Sequence, residues 1–176
     1  RGGCRGSYNA AVKELYGAES AWGRAMSGQS GSWEELERRQ RANERARHRV
    51  VGLVIETRPD AVTARSLRAI RRLGCTKVQM GVQSIDQRVL DVNERRVDVT
   101  RMEDAFALCR LFGFKVHAHF MVNLLGSTPA ADKADYLRFV GSGPFQPDEV
   151  KLYPCALIAG TRLVDKHESG EWEPYS

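Results

Sequence analysis

No cysteine in this 176-residue sequence has another near it: Cys4, Cys75, Cys109 and Cys155 form neither a CxxC pair nor an evident disulfide frame. That spacing argues against a disulfide-stapled secreted scaffold and gives a zinc ribbon no support, so a reducing, cytoplasmic setting is expected. No apolar run approaches a membrane span, and no signal-peptide core is visible, so no membrane partner is expected. Phosphate-binding G-x-x-x-x-G-K and nucleophile-elbow G-x-S-x-G patterns are also missing, which leaves P-loop nucleotide hydrolysis and esterase chemistry without local support. Finally, the chain opens on Arg-Gly-Gly-Cys, with no initiator Met and no strand ahead of it, and is expected to be a fragment or truncated product.

What is present reads as one ordinary globular domain, with 42% hydrophobic and 28% charged residues. A net charge of +5 and a pI near 9.2 favour an anionic partner such as nucleic acid, without specifying one. The organising stretch is VVGLVIETRPD, Val50 to Asp60. Its β-branched run ends abruptly in Glu56, Thr57 and Arg58, and in parallel α/β folds such strand ends carry binding and catalytic groups. Glu56 and Arg58 are therefore site candidates, the alternative being a surface ion pair.

Residues 1–31 are rich in Gly and Ser around a short amphipathic piece, Tyr8 to Tyr16, and are set apart from a segment 32–176. Ser32 and Glu35 form a capping box for a helix to about Arg49. Its Arg38, Arg41 and Arg45 interleave with Glu34, Glu35, Glu37 and Glu44, a solvated face or a nucleic-acid footprint. Helix signals then alternate with strands: a helix over Ala61 to Leu73, strand Lys77 to Gln83, a box at Ser84 and Gln87, another at Thr100 and Glu103, strand Lys115 to Leu125. A helix from Thr128-Pro129 to about Val140, strand Val150 to Ile158 and a last helix near Thr161 follow. Such spacing predicts parallel βα units.

Strands buried on both faces read as continuous apolar runs, and these do not. Gln79, Gly81 and Gln83 oppose Val78, Met80 and Val82; His117 and His119 oppose Val116, Ala118 and Phe120; Lys151 and Tyr153 oppose Val150 and Leu152. Burying such groups unpaired costs several kcal/mol or so each, so this face should line a wet or ligand-filled lumen. The expected fold is an α/β partial barrel. His117 and His119 could hold a metal, as in a hydrolase barrel, or be hydrogen-bonded within the lumen. Gly2-Gly3 could admit a ligand to the backbone or be a turn. Gln83-Ser84 offers a ligand site or only a cap, and Asn123, ending an apolar run, is equally ambiguous.

VGLVIETRPD, LRxIRRLGCTKVQMGVQS, GFKVHAHFMVNLLGSTP, FxPDEVKLYPCALI and GEWEPY, in that order, resemble the radical S-adenosylmethionine domain of the Elongator catalytic subunit family in its bacterial or archaeal form. The resemblance runs densely from about Glu44 to Tyr175 and implies strands three to six of a six-stranded partial barrel. It implies a tRNA-modifying enzyme that builds a carboxymethyl group on the wobble uridine, using S-adenosylmethionine, a four-iron, four-sulfur cluster and acetyl-CoA. Carried onto this chain, it implies that Gly2 and Gly3 approach the methionyl amino group and that Glu56 and Arg58 line the cofactor pocket. Gln83 and Ser84 would contact the adenosyl portion, with Asn123, Lys151 and Tyr153 near the substrates, Lys151 and Tyr153 as catalytic candidates. The family's three cluster cysteines have no counterpart here, and its acetyl-CoA-binding domain would begin after Tyr175, so the isolated chain is expected to be inactive. A tRNA-binding module without catalysis is the non-enzymatic alternative.

Overall fold

The computed structural model describes residues 5–17, 19–141 and 143–175, with side chains from residue 10 onward. It divides into two compact units, Arg1–Arg49 and Val50–Ser176, so the helix expected from Ser32 groups with the residues before it. Gly2, Gly3 and Cys4 lie outside the described residues.

The first unit contains α1 (Arg5–Tyr16), α2 (Ala21–Ser27) and α3 (Trp33–Glu44); α2 carried no sequence signal strong enough to predict it. Ser32 caps α3 as expected, accepting from Glu35 N–H at 3.2 Å. The helix ends at Glu44, short of Arg49, and buries none of its residues, so little beyond local hydrogen bonding extends it.

The second unit runs β1 (Val54–Thr57), a single 3₁₀ turn (Pro59–Ala61), α4 (Ala64–Arg72), β2 (Lys77–Gln83), α5 (Gln87–Val92), α6 (Val99–Leu111), β3 (Lys115–Val122), α7 (Pro129–Gly141), β4 (Glu149–Pro154) and α8 (Arg162–Glu168). All four strands are parallel, in the order β1-β2-β3-β4. Sequential order without a reversal is the arrangement of a barrel wall; an open doubly wound sheet has a switch point. One face of the sheet is dry. Val78, Met80, Val82, Val116, Ala118 and Phe120 are fully buried there against Leu67 of α4, Met102, Phe106 and Cys109 of α6 and Phe139 of α7.

Several boundaries differ from the sequence expectation, each for a local reason. Val50 and Val51 are 72% and 85% exposed and stand outside β1, because ladder bonding begins only at Leu53, whose carbonyl accepts from Thr76 N–H at 3.0 Å. Thr63 opens α4 through a reciprocal box with Ser66, at 2.9 and 3.0 Å, which delays the helix past Ala61. The caps expected at Ser84 and Thr100 fall on Asp86 and Asp98 instead. Asp86 accepts from Arg88 and Val89 N–H, while Gln87, expected to box with Ser84, reaches the Val99 N–H at 3.0 Å. β3 stops at Val122 because Asn123 takes a left-handed φ of +62°, and β4 stops at Pro154.

The centre of the dry layer is aromatic. Phe106 meets Phe139 and Phe145 edge-on at 6.0 and 5.4 Å, and Phe139 stacks on Phe120 at 5.1 Å. Phe106 is fully buried at this junction of α6, α7 and the loop before β4. Phe106→Ala should therefore lower unfolding stability by about 3–5 kcal/mol in urea denaturation, since the neighbouring rings cannot collapse into the void.

Candidate functional site

Parallel register turns the alternating residues of the other face into rows. Glu56 of β1 lies beside Gln79 of β2, Gln79 beside His117 of β3, and His117 beside Glu149 of β4. One pleat further on, Gly81, His119 and Lys151 line up, and beyond them Met121 and Tyr153. Within the first row Gln79 Nε2 donates to Glu56 Oε2 at 3.3 Å, and His117 Nδ1 stands 3.3 Å from Glu149 Oε2. Lys77 Nζ holds the other Glu149 oxygen at 2.6 Å, which keeps that carboxyl below the usual range. Burial pushes the His117 pKa down, with Lys151, His119 and Lys77 acting in the same sense and Glu149 against it.

The imidazoles form a ladder of edge contacts, His117 to His119 at 5.6 Å and His119 to Tyr153 at 5.8 Å. His119 Nδ1 comes within 3.9 Å of Glu56 Oε1, beyond hydrogen-bond reach. Both Nε2 atoms are buried without a partner, and so is Arg95 Nε. Arg95, in the loop after α5, lies across the central strand: its Nη2 donates to the Gly81 carbonyl, and a Cβ at position 81 would stand 2.9 Å from Nη2 and 3.0 Å from Gln83 Nε2. A larger residue there would oblige the ends of Arg95 and Gln83 to shift. Desolvation, then the neighbouring Arg58, pulls the Arg95 pKa down, while Asp60 opposes them.

The remaining sequence candidates occupy the strand ends. Arg58 pairs with Asp60 through two hydrogen bonds of 2.9 and 3.0 Å, holding the Asp60 carboxyl low; the ion pair considered for Glu56 and Arg58 is thus between Arg58 and Asp60. Gln83 and Asn123, ending the two central strands, are non-glycine residues with φ of +75° and +62°, a costly conformation that clusters at functional sites. Ser84 is buried, and its hydroxyl donates to Asp135 Oδ2 at 2.6 Å and accepts from Asp86 N–H at 3.0 Å. Asp135 also accepts from Ile85 N–H at 3.0 Å, and Arg138 completes the cluster at 2.9 Å. Ser84 thus steadies the turn that carries Gln83. Lys151 and Tyr153 sit on the polar face of β4 and are exposed.

Sequence alternation missed Arg95, Asp132, Asp135, Trp172 and Tyr175, which lie off the strands. One signal was available: a glycine inside a strand, Gly81, marks close approach by another group. Among the described residues no three His, Cys, Asp or Glu side chains gather as a metal site, so the hydrolase alternative gains no geometric support.

The family model for the Radical SAM superfamily matches residues 27–137. The chain belongs to the radical SAM superfamily. Within it, the chain is 39% identical over 140 residues to the tRNA uridine(34) acetyltransferase of Methanocaldococcus infernus, covering 80% of this chain and 26% of the relative. It is 36% identical over 134 residues to human Elongator complex protein 3, covering 76% of this chain and 24% of the relative. The chain thus spans about a quarter of the length of these curated relatives. The solved structure of archaeal Methanocaldococcus infernus Elp3 with an N-terminal deletion superposes with a TM-score of 0.75 at 39% identity, over 79% of this chain and 33% of that one. Coproporphyrinogen III oxidase of Escherichia coli shares the fold alone, with a TM-score of 0.57 at 16% identity over 81% of this chain and 32% of that one. The likeness to the Elongator catalytic subunit and the radical SAM partial barrel read from the sequence both stand.

One titration follows from the far end of the radical SAM unit. Tyr175 donates to Asp132 Oδ2 at 2.8 Å, and burial first, then that bond and the Asp132 charge, push its phenol up to about 12. The protonated phenol is the form the fold favours, so this contribution is complete below the ordinary tyrosine value near 10 and is lost as pH rises toward 12. Urea denaturation at pH 9 and pH 11.5 should show a loss of stability that is smaller in Tyr175→Phe.

Proposed function

We propose that this chain forms the ligand-facing wall of a tRNA wobble-uridine-modifying enzyme, with S-adenosylmethionine seated at the carboxyl ends of β1 and β2 and the uracil and an acetyl-CoA-derived acetyl group facing β3 and β4. The observation that carries the proposal is the set of three buried, unpartnered nitrogens on one sheet face, Arg95 Nε, His117 Nε2 and His119 Nε2. Each orphan of this kind costs about 1–3 kcal/mol, a penalty that a polar ligand relieves. The names of the relatives, tRNA uridine(34) acetyltransferases, supply the class of reaction.

The described residues fit an adenosylmethionine. Arg95 presents a guanidinium that has no carboxylate within ion-pair distance among the described residues, over the Gly81 backbone, which suits the carboxylate of the methionyl group. Gln83, held in its left-handed turn by the Ser84–Asp135 cluster, offers an amide to the ribose or adenine. Glu56 and Arg58 flank the same strand ends, and Gly2 and Gly3 remain assigned to the amino group by resemblance. When bound, the cofactor supplies the adenosyl group from which radical chemistry starts.

The described cysteines do not fit a four-iron cluster. Cys75 and Cys109 are buried in the dry layer, where burial pushes the Cys109 thiol up to about 11, and Cys155 follows the end of β4, where its N–H donates to the Val122 carbonyl at 2.8 Å. The isolated chain is proposed to be inactive. Lys151 and Tyr153 act on the substrates: an ammonium and a phenol at the open side of the polar face can stabilise negative charge developing on a carbonyl oxygen. Phosphate contacts fall to the exposed arginines of α3, with Arg38 already paired to Glu35 and Arg41 and Arg45 exposed to solvent.

Two measurements test these assignments. Calorimetric titration with S-adenosylhomocysteine should show binding by the unaltered chain and a loss of about ten- to a hundredfold in Arg95→Gln, the range expected for a charge-assisted hydrogen bond. For tRNA, removing Arg41 and Arg45 should weaken binding and reduce the salt dependence by about one unit of slope per phosphate contact. Lys151→Ala should leave tRNA affinity unchanged yet lower uridine modification when installed in an intact relative. Full modification by that variant would remove Lys151 from the reaction chamber.

A further inference from the structure

Asn123 follows directly on β3, two residues beyond Met121, whose register partner is Tyr153 at the open end of the polar face. Its φ of +62° is one that an L side chain adopts at a cost of about 1–2 kcal/mol, and nothing in β3 itself holds it there. Both of its backbone polar groups are bound from outside the strand. The N–H donates to Asp132 Oδ2 at 2.6 Å, and the carbonyl accepts from the Trp172 indole N–H at 2.8 Å.

Each partner is in turn fixed. Asp132, buried in the first turn of α7, also accepts from the Ser127 hydroxyl and, at 2.8 Å, from the Tyr175 phenol. Trp172 is buried as well and is placed by the turn that ends α8. There Gly170 has φ of +76°, and the N–H groups of Glu171 and Trp172 both reach the Lys166 carbonyl, at 2.9 and 3.1 Å. His167 Nδ1 lies 3.2 Å from the Trp172 carbonyl. Residues 170–175 thus run back some 50 positions in sequence to grip one strained residue.

We propose that Trp172 and Tyr175, acting with Asp132, are positioning residues: they clamp the backbone of Asn123 so that its side chain is held at the ligand mouth of the polar face. The proposal rests on the ligand reading given above. A purely structural tail would anchor itself on apolar surface or on unstrained strand backbone. This one spends both of its side-chain hydrogen-bond donors on Asn123 and on the carboxylate that holds it, where relaxation to an extended φ would swing the amide away.

The test is a double-mutant cycle in the full chain, with S-adenosylhomocysteine as the probe and hydrogen exchange at the Asn123 amide as a second readout. Tyr175→Phe keeps its ring and removes one donor; Trp172→Phe removes the indole donor and keeps an aromatic ring, though a smaller one. Each is expected to weaken binding about two- to tenfold, the net worth of one hydrogen bond, and to speed exchange at Asn123 while β2 amides keep their protection. Asn123→Gly adopts the same φ without cost and lacks the amide, so it should weaken binding by itself, and adding Trp172→Phe to it should cause no further loss. Lowered thermal stability with unchanged affinity would overturn the clamp, as would full additivity in the Asn123→Gly background. Unaltered chain that fails to bind S-adenosylhomocysteine, with Asn123 still protected and that protection lost in Tyr175→Phe, would overturn the ligand reading of the polar face and leave the clamp standing.

Discussion

Parallel register between strands of alternating character is the constraint on which the radical SAM unit depends. β2 and β3 send most of their apolar positions to one side, and pairing in register as far as the shift between Gly81 and Gln83 stacks those positions into a dry layer and the polar positions into rows. A slip of one residue in β2 or β3 would exchange the faces and drive Gln79, His117 and His119 into the aromatic cluster around Phe106. The desolvation of three such groups would exceed the stability of an ordinary domain. Register is therefore fixed by the polar face as firmly as by the apolar one.

The same rows explain why chemistry can be placed on this sheet without loss of the fold. Helices α4, α6 and α7 supply the burial on one side, so groups on the other side are free to remain partly unsatisfied. Glu56 and Gln79 pair, Lys77, Glu149 and His117 form a chain of contacts, and among the described residues Arg95 Nε, His117 Nε2 and His119 Nε2 are buried without partners. Strain follows the same division. The two left-handed strand ends, Gln83 and Asn123, occur where the central strands leave the sheet, and each is backed by a buried carboxylate from α7, Asp135 or Asp132. One helix therefore holds both turns, three residues apart along its axis.

Much of this was legible in the sequence because it depends on period-2 alternation and helix-stop signals. β2 was read at its true limits, and the sorting of Gln79, His117, His119, Lys151 and Tyr153 onto one face needed nothing beyond residue parity. The errors share a cause. Ser84 and Thr100 satisfied a capping-box pattern, but the Ser84 hydroxyl is taken by Asp135, fifty residues downstream, and the helices start from Asp86 and Asp98. Val50 and Val51 have the composition of a strand but stand outside β1, which begins at Val54. Arg95 was read as part of a charged loop, since a side chain that crosses a strand fourteen residues earlier leaves no local trace beyond the glycine it covers.

That glycine ties the loop after α5 to the sheet floor. Arg95 is anchored on the Gly81 carbonyl, Asn93 donates to the Val89 and Leu125 carbonyls, Glu94 pairs with Arg162 and Val97 is buried in the core, so the Asn93-to-Asp98 loop is pinned at four points to four different parts of the unit. A Cβ at position 81 would stand 2.9 Å from the guanidinium and oblige its flexible end to shift, which would loosen one of these pins and leave the other three in place.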